Sequence, residues 1–240
     1  MATAADAAES LVLPSLIAVY SDHEVPGGTV MPRQTGTGFL LAWRSRVALV
    51  TAKHVLFGHD GKDAPGRKSV FAQGGLRHLD ELRWSTIGSV SEYDVAAIFL
   101  DAFPLEHCLP QFSLDTPAAP KLATVFGYLA RDFKRAHTAG RLTIRPNIYT
   151  NRVRSIENGI IRFHYPQKTN LDTSSAERVV APIPRGLSGG PLLSTNQLRQ
   201  GQVQVIGVFF AWDAGVGYGV TADTLPPLLD ELVDEIGEEK

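Results

Sequence analysis

Short runs rich in β-branched and aromatic residues recur along this chain, separated by Gly, Pro, Asn and Asp. That pattern predicts many short strands rather than helices. The runs fall at residues 15–20, 37–43, 46–51, 69–72, 82–87 and 94–100, enough for one small barrel. A stretch punctuated by Pro104, Pro110, Pro117 and Pro120 follows and reads as an extended connection over residues 103–120. Beyond it, runs at 121–129, 141–148, 160–164, 178–183, 203–211 and 217–221 predict a second barrel. The expectation is an all-β chain with lobes at 1–102 and 121–240, together one unit. The C-terminal segment breaks the pattern. Leu225, Leu228, Leu229, Leu232, Val233 and Ile236 recur at helical spacing with acids between them, which predicts an amphipathic α-helix. Thr224 or Asp223 is placed to cap it, and Pro226 and Pro227 fit its first turn, where N–H groups lack intrahelical partners.

Composition narrows the picture. A chain of 240 residues that is 44% hydrophobic and 20% charged is an ordinary globular sequence with enough material to bury a core. A formal net charge of -2 gives no overall electrostatic reason to expect nucleic acid or an anionic membrane as partner. The basic residues Arg131, Lys134, Arg135, Arg141, Arg145, Arg152 and Arg154 read as a solvated face. The apolar runs at 95–100 and 203–212 are too short to span a bilayer. The single cysteine, Cys108, rules out an intramolecular disulfide and a multi-cysteine zinc site, and suits a reducing compartment. No Lys or Arg precedes Arg33, so the positive start of a secretory signal is missing and a cytoplasmic protein is expected. Cys108 has no base beside it in sequence and reads as inert, and His59 with Asp60 reads as a polar loop rather than a metal site.

The chemistry concentrates at Arg185-Gly186-Leu187-Ser188-Gly189-Gly190-Pro191. A serine hydroxyl is a weak nucleophile until a base removes its proton, and the oxyanion that develops needs preorganised donors. Glycines around Ser188 allow a tight turn that exposes the N–H groups of Gly186 and Ser188 as those donors. The same stretch fits the nucleophile elbow of an α/β-hydrolase, where acid and then histidine follow the serine. The last histidine is His164, so no base lies downstream and that reading fails. The order His, Asp, Ser remains. His54 closes the strand-like run 47–54, with Gly36-Thr37-Gly38-Phe39 upstream as a hairpin partner, and Asp94 opens the apolar run to Leu100. A carboxylate there fixes the imidazole tautomer and stabilises the imidazolium. Asp80 and Asp101 compete for this role but open no apolar strand.

With these residues in place, the sequence resembles the trypsin-like peptidase superfamily, and within it the disulfide-free protease domain of the bacterial HtrA (Deg) family. The resemblance rests on six pieces in order: Gly36-Thr37-Gly38-Phe39, Thr51-Ala52-Lys53-His54-Val55, Asp94-Val95-Ala96, Gly186 to Pro191, Val205-Ile206-Gly207-Val208 and Gly217-Tyr218-Gly219-Val220. It implies two six-stranded antiparallel barrels with a cleft between them and a C-terminal helix on the second. It further implies a serine endopeptidase that needs no cofactor, with His54, Asp94 and Ser188 as triad and a protein or peptide as substrate.

Three departures limit what carries over. Leu187 stands where the zymogen-regulated relatives have an aspartate, so that activation switch cannot operate. No PDZ-type extension follows Ile236 to Lys240, so trimer-forming or peptide-sensing behaviour is not implied. Pro182 and Ile183 stand at the base of the specificity pocket, where an acid would select Lys or Arg. The remaining substrate-binding candidates are Arg185, Phe210, Ala211, Trp212 and Gly217, of which the last four make an apolar pocket that predicts a small or aliphatic residue before the scissile bond. Phe209 alternates with Phe210 and reads as core. Rival expectations are a silent peptide-binding scaffold on the same fold, and a latent protease switched on by a regulatory protein partner.

Overall fold

Among the described residues the strand pattern resolves into two large sheets and one short two-stranded ladder. The computed structural model describes residues 10–25, 28–59, 68–72, 75–101, 103–109, 120–132, 146–166, 170–171, 178–179 and 181–238. The expected connection is therefore described only in part, and Asp60, Lys134, Arg135, Arg141 and Arg145 lie outside these residues.

The N-terminal sheet contains β1 (Leu16–Val25), β2 (Thr29–Trp43), β3 (Arg46–Thr51), β4 (Lys68–Ala72), β5 (Gly75–His78), β6 (Trp84–Ser89) and β7 (Ala96–Leu100). Every pairing is antiparallel, in the order β5-β4-β1-β2-β3-β7-β6. A closed six-stranded barrel was expected here. The sheet instead has seven strands, and its ladder is open between β5 and β6 among the described residues. The extra strand is Gly75-Leu76-Arg77-His78, too short and polar to register as an apolar run. Both faces of β3 and β7 are buried, which explains why each reads as a continuous apolar run instead of alternating.

Six strands close the C-terminal barrel: β8 (Leu122–Gly127), β9 (Asn147–Glu157), β10 (Ile160–His164), β13 (Pro191–Ser194), β14 (Val205–Asp213) and β15 (Val216–Thr221). A separate two-stranded ladder joins β11 (Asn170–Leu171) to β12 (Arg178–Val179). Two expected strands are corrected. The run at 178–183 contributes only β12, outside the barrel, and Pro191–Ser194 takes the barrel position. The strand expected at 141–148 runs over Asn147–Glu157, with 141–145 outside the described residues. Its polar outer face, with Thr150, Arg152 and Arg154 exposed, hid it from a search for apolar runs.

Three hydrophobic cores hold this arrangement. Ile17, Leu40, Leu49, Leu56, Val70 and Ile98 fill the concave side of the N-terminal sheet. Val125, Ile161, Phe163, Tyr165, Leu192 and Ile206 fill the closed barrel. The third joins the two sheets: Phe39, Val50 and Phe99 meet Leu193, Val205 and Val208, together with Leu225, Leu228, Leu229 and Leu232 of the last helix. Each such fully buried side chain contributes on the order of 1.5–3 kcal/mol.

The described helices include α1 (Lys53–Phe57), α2 (Thr195–Arg199) and α3 (Leu225–Glu238). The predicted amphipathic helix is present as α3, but its packing corrects an expectation. It returns to the N-terminal sheet rather than resting on the second barrel alone. Leu232 covers Gly88 so closely that an added Cβ there would lie 2.7 Å from its Cδ2. Trp43 donates its Nε1–H to Asp230 at 2.9 Å, and Thr86 donates to Glu235 at 2.9 Å. The Thr224 hydroxyl donates back to the Thr221 carbonyl at 2.8 Å, and Pro226 and Pro227, the second and third helical residues, offer no N–H for it to cap. No helix of the described residues is long and apolar enough to cross a membrane.

Candidate active site

His54 sits just past the end of β3. The strand stops at Thr51, Ala52 is extended, and His54 is the second residue of α1, closed by Gly58, whose N–H donates to the His54 carbonyl at 2.9 Å. The sequence expectation of a histidine ending a strand is corrected to one in the helical turn that follows it. Asp94 lies in the turn between β6 and β7, two residues ahead of Ala96. That turn is held by Val95 N–H to Tyr93 O at 2.9 Å and Val90 N–H to Val95 O at 3.2 Å.

The two side chains meet along both edges of the carboxylate. Asp94 Oδ1 accepts the backbone N–H of His54 at 2.9 Å, and Oδ2 lies 2.6 Å from Nδ1. An ionised carboxylate only accepts, so Nδ1 carries the proton and Nε2 is left as an acceptor. Burial acts to raise the Asp94 pKa. The side-chain hydrogen bond from His54, the attraction of its ring when protonated, its backbone N–H, and the attraction of His59 when protonated outweigh burial and hold the carboxyl below its usual range. His59 stacks on the His54 ring with centroids 4.7 Å apart and planes 7° from parallel. Asp80 bonds instead to the Trp84 indole N–H at 3.4 Å, and Asp101 follows the far end of β7.

Ser188 lies in the loop before β13. Its carbonyl accepts the Thr37 N–H at 2.7 Å, and Gly189 N–H donates to Phe209 O at 2.6 Å, tying the loop to both sheets. Gly189 has φ +88, and a Cβ on it would collide with the Thr37 carbonyl and the Thr51 hydroxyl, so only glycine fits. Leu187 is buried in the barrel core. The Ser188 hydroxyl donates to the Phe210 carbonyl at 3.2 Å and makes no hydrogen bond to His54. Phe210 is free to accept because it is the extra residue of a bulge: Phe209 pairs with Gly219 and Ala211 with Tyr218. Among the described residues, the N–H groups of Gly186 and Ser188 have no partner.

His54 and Ser188 line one cleft of about 1040 Å³. Ile183, Arg185, Phe210, Ala211 and Trp212 also line it, with Ile183 54% exposed and available for contact. Pro182 and Gly217 are not on its wall. The Pro182 carbonyl accepts the Tyr165 hydroxyl at 3.2 Å, and Gly217 is buried against the Phe163 ring. Trp212 is braced by its Nε1–H to the Tyr165 carbonyl at 3.2 Å. Phe209 is buried beside Phe163, as its alternation predicts, while its edge reaches the cleft. Sequence reasoning missed Gln34, Thr35 and Arg33, which also line the cleft. Their only sequence signal is proximity to Gly36-Thr37-Gly38. Among the described residues, no three His, Cys, Asp or Glu side chains gather to hold a metal ion.

Comparison with known proteins bears on the family and the fold. The family model for a trypsin-like peptidase domain matches residues 36–208. Among solved structures, the serine protease of a human pathogenic astrovirus is similar with a TM-score of 0.51 and 16% identity, over 88% of this chain and 90% of that one. At that identity the likeness concerns the fold, the chymotrypsin-like double barrel. No curated protein sequence matches. These matches reach the superfamily and not the narrower HtrA branch. Since the matched segment spans more than half of the sequence and contains all six motifs but the last, the chain belongs to the trypsin-like peptidase domain family.

Proposed function

We propose that this protein is a serine endopeptidase that cleaves peptide bonds through an acyl-enzyme on Ser188. The observation that carries the reading is the two-point clasp of Asp94 on His54, which presents Nε2 as an acceptor in the cleft that Ser188 lines. Rotation about χ1 of Ser188 turns its hydroxyl from the Phe210 carbonyl toward that nitrogen. His54 then takes the proton as general base, Oγ attacks the substrate carbonyl, and the N–H groups of Gly186 and Ser188 receive the oxyanion. His54 returns the proton to the leaving amine, and water hydrolyses the ester by the same route. The mechanism needs no cofactor. Ile183, Ala211 and Trp212 favour a small or aliphatic residue before the scissile bond. The lobes divide at residues 103–120, and the lone cysteine fits a cytoplasmic protein.

A second reading draws on a specific observation. The Ser188 hydroxyl bonds to a backbone carbonyl rather than to the base, as suits a latent peptidase that a protein partner switches on. One experiment separates the readings. Wild type and Ser188→Ala are incubated with a fluorophosphonate probe and with a denatured protein whose fragments are identified by mass spectrometry. Labelling and cleavage by the isolated wild type, both lost in the folded variant, support the active enzyme. Equal labelling of the variant overturns the assignment of Ser188.

A further inference from the structure

We infer that Gln34 and Thr37, on the N-terminal sheet, are positioning residues for the oxyanion donors on the C-terminal barrel. The inference rests on the proposed function and extends it to residues outside the triad. It begins with a register irregularity. Along β1, Tyr20 pairs with Gln34, Val19 with Gly36 and Ala18 with Thr37, so Thr35 is the extra residue of a bulge. Ala18 and Tyr20 lie two apart on one strand and share a face. Their partners Gln34 and Thr37, three apart, share that face only because Thr35 is inserted between them.

Both side chains then reach across to the loop that carries Gly186. Thr37 Oγ1 donates to the Gly186 carbonyl at 2.6 Å and accepts the Tyr128 N–H at 2.9 Å. Gln34 Nε2 donates to the Tyr128 carbonyl at 2.7 Å, with the Gly186 and Gly36 carbonyls at 3.4 Å. Three carbonyls around one terminal atom identify it as the amide nitrogen. Gln34 is buried (4% exposed), and its Oε1 has no hydrogen-bond partner among the described residues. The site tolerates an orphaned acceptor, so what the amide supplies is its donors.

These bonds hold the turn at 128–130, which in turn holds the peptide that carries the Gly186 N–H. The Arg185 carbonyl accepts the Ala130 N–H at 2.9 Å. In a trans peptide the following N–H, that of Gly186, points the opposite way and stays open. Gly186 has φ +96, and a Cβ on it would lie 2.6 Å from Tyr128 O, 2.7 Å from Ala130 N and 2.8 Å from Gln34 Nε2. Only glycine fits this cage. Gln34 and Thr37 close it from the other sheet by holding the 128–130 turn and the Gly186 carbonyl together. The switch of the zymogen-regulated relatives is precluded by Leu187, whose side chain is buried and uncharged. The Gln34 and Thr37 bonds preorganise the hole without a new N-terminus.

The test compares Thr37→Val, Thr37→Ser and Gln34→Met with wild type on a peptide that wild type cleaves. Each is also titrated with a peptidyl aldehyde, which forms an oxyanion, and with the matching peptidyl alcohol, which cannot. Thr37→Val is expected to lower kcat and aldehyde affinity by about tenfold or more, less than loss of a donor itself. KM and alcohol affinity stay within about twofold, and Thr37→Ser restores both lost quantities. Gln34→Met is expected to show the same split and carries the test if Thr37→Val does not fold. Unchanged kcat and aldehyde affinity in a folded variant overturn this inference alone, as does a parallel loss of aldehyde and alcohol binding. A wild type that neither cleaves nor is labelled overturns the proposed function, and this inference with it.

Discussion

Asp94 grips His54 at two points, 2.6 Å from its ring nitrogen and 2.9 Å from its backbone nitrogen, so one carboxylate sets both the tautomer and the placement of the turn that carries the ring. Asp94→Asn keeps the shape but leaves one acceptor for two N–H groups, so its NH2 faces either Nδ1–H or the backbone N–H of His54. The variant is expected to fold and to lose about 10⁴-fold in kcat on a cleavable peptide. A loss below tenfold in steady-state assays removes Asp94 from the proposed triad.

The same contact has a pH signature. Asp94 is held below the usual carboxylate range when folded, so the unfolded chain binds its proton more readily. The resulting stabilisation is fully present above the unfolded value of about 3.9 and is lost as pH falls through the lower folded value. Urea unfolding of wild type and Asp94→Asn is expected to show a constant difference from pH 5 to 6. That difference shrinks steadily below about pH 4. A pH-independent difference contradicts the account.

Gly189 couples the sheets through a space that holds no side chain. Gly189→Ala combines a positive-φ penalty with a clash against Thr37 and Thr51, and is expected to cost about 2–5 kcal/mol. Denaturant titration reads the stability, and fluorophosphonate labelling reads the nucleophile, which should be lost or strongly slowed. A variant as stable and reactive as wild type refutes the packing argument.

Trp212 narrows the cleft and is braced by Tyr165. Trp212→Ala is expected to move the preference before the scissile bond toward large side chains, raising kcat/KM for Phe relative to Ala by about tenfold. A peptide library profiles both proteins. A wild-type profile dominated by Lys, Arg, Asp or Glu at that position refutes the apolar pocket itself.

Burial pushes the Cys108 thiol from 9.0 up to about 11, leaving about a hundredfold less thiolate at neutral pH. Iodoacetamide is expected to alkylate the native protein at least that much more slowly than the urea-unfolded chain at pH 7.5. Equal rates show a reactive thiol.

Residues adjacent in the chain carried much of this protein in legible form. The glycine-bounded Ser188, the abundance of short strands and the helical spacing from Leu225 to Ile236 are properties of contiguous segments, and the order His54, Asp94, Ser188 is read directly along the linear chain. Local stereochemistry and periodicity act on neighbours, so they can be read without knowing the fold. What tertiary structure alone decided depends on pairing between distant strands. The bulge at Thr35 aims Gln34 and Thr37 at Gly186, the bulge at Phe210 frees the carbonyl that holds Ser188, and α3 returns to cover Gly88. A one-residue change of register turns a side chain to the opposite face. Register is set by the sum of packing across both sheets, and no short stretch of the chain contains it.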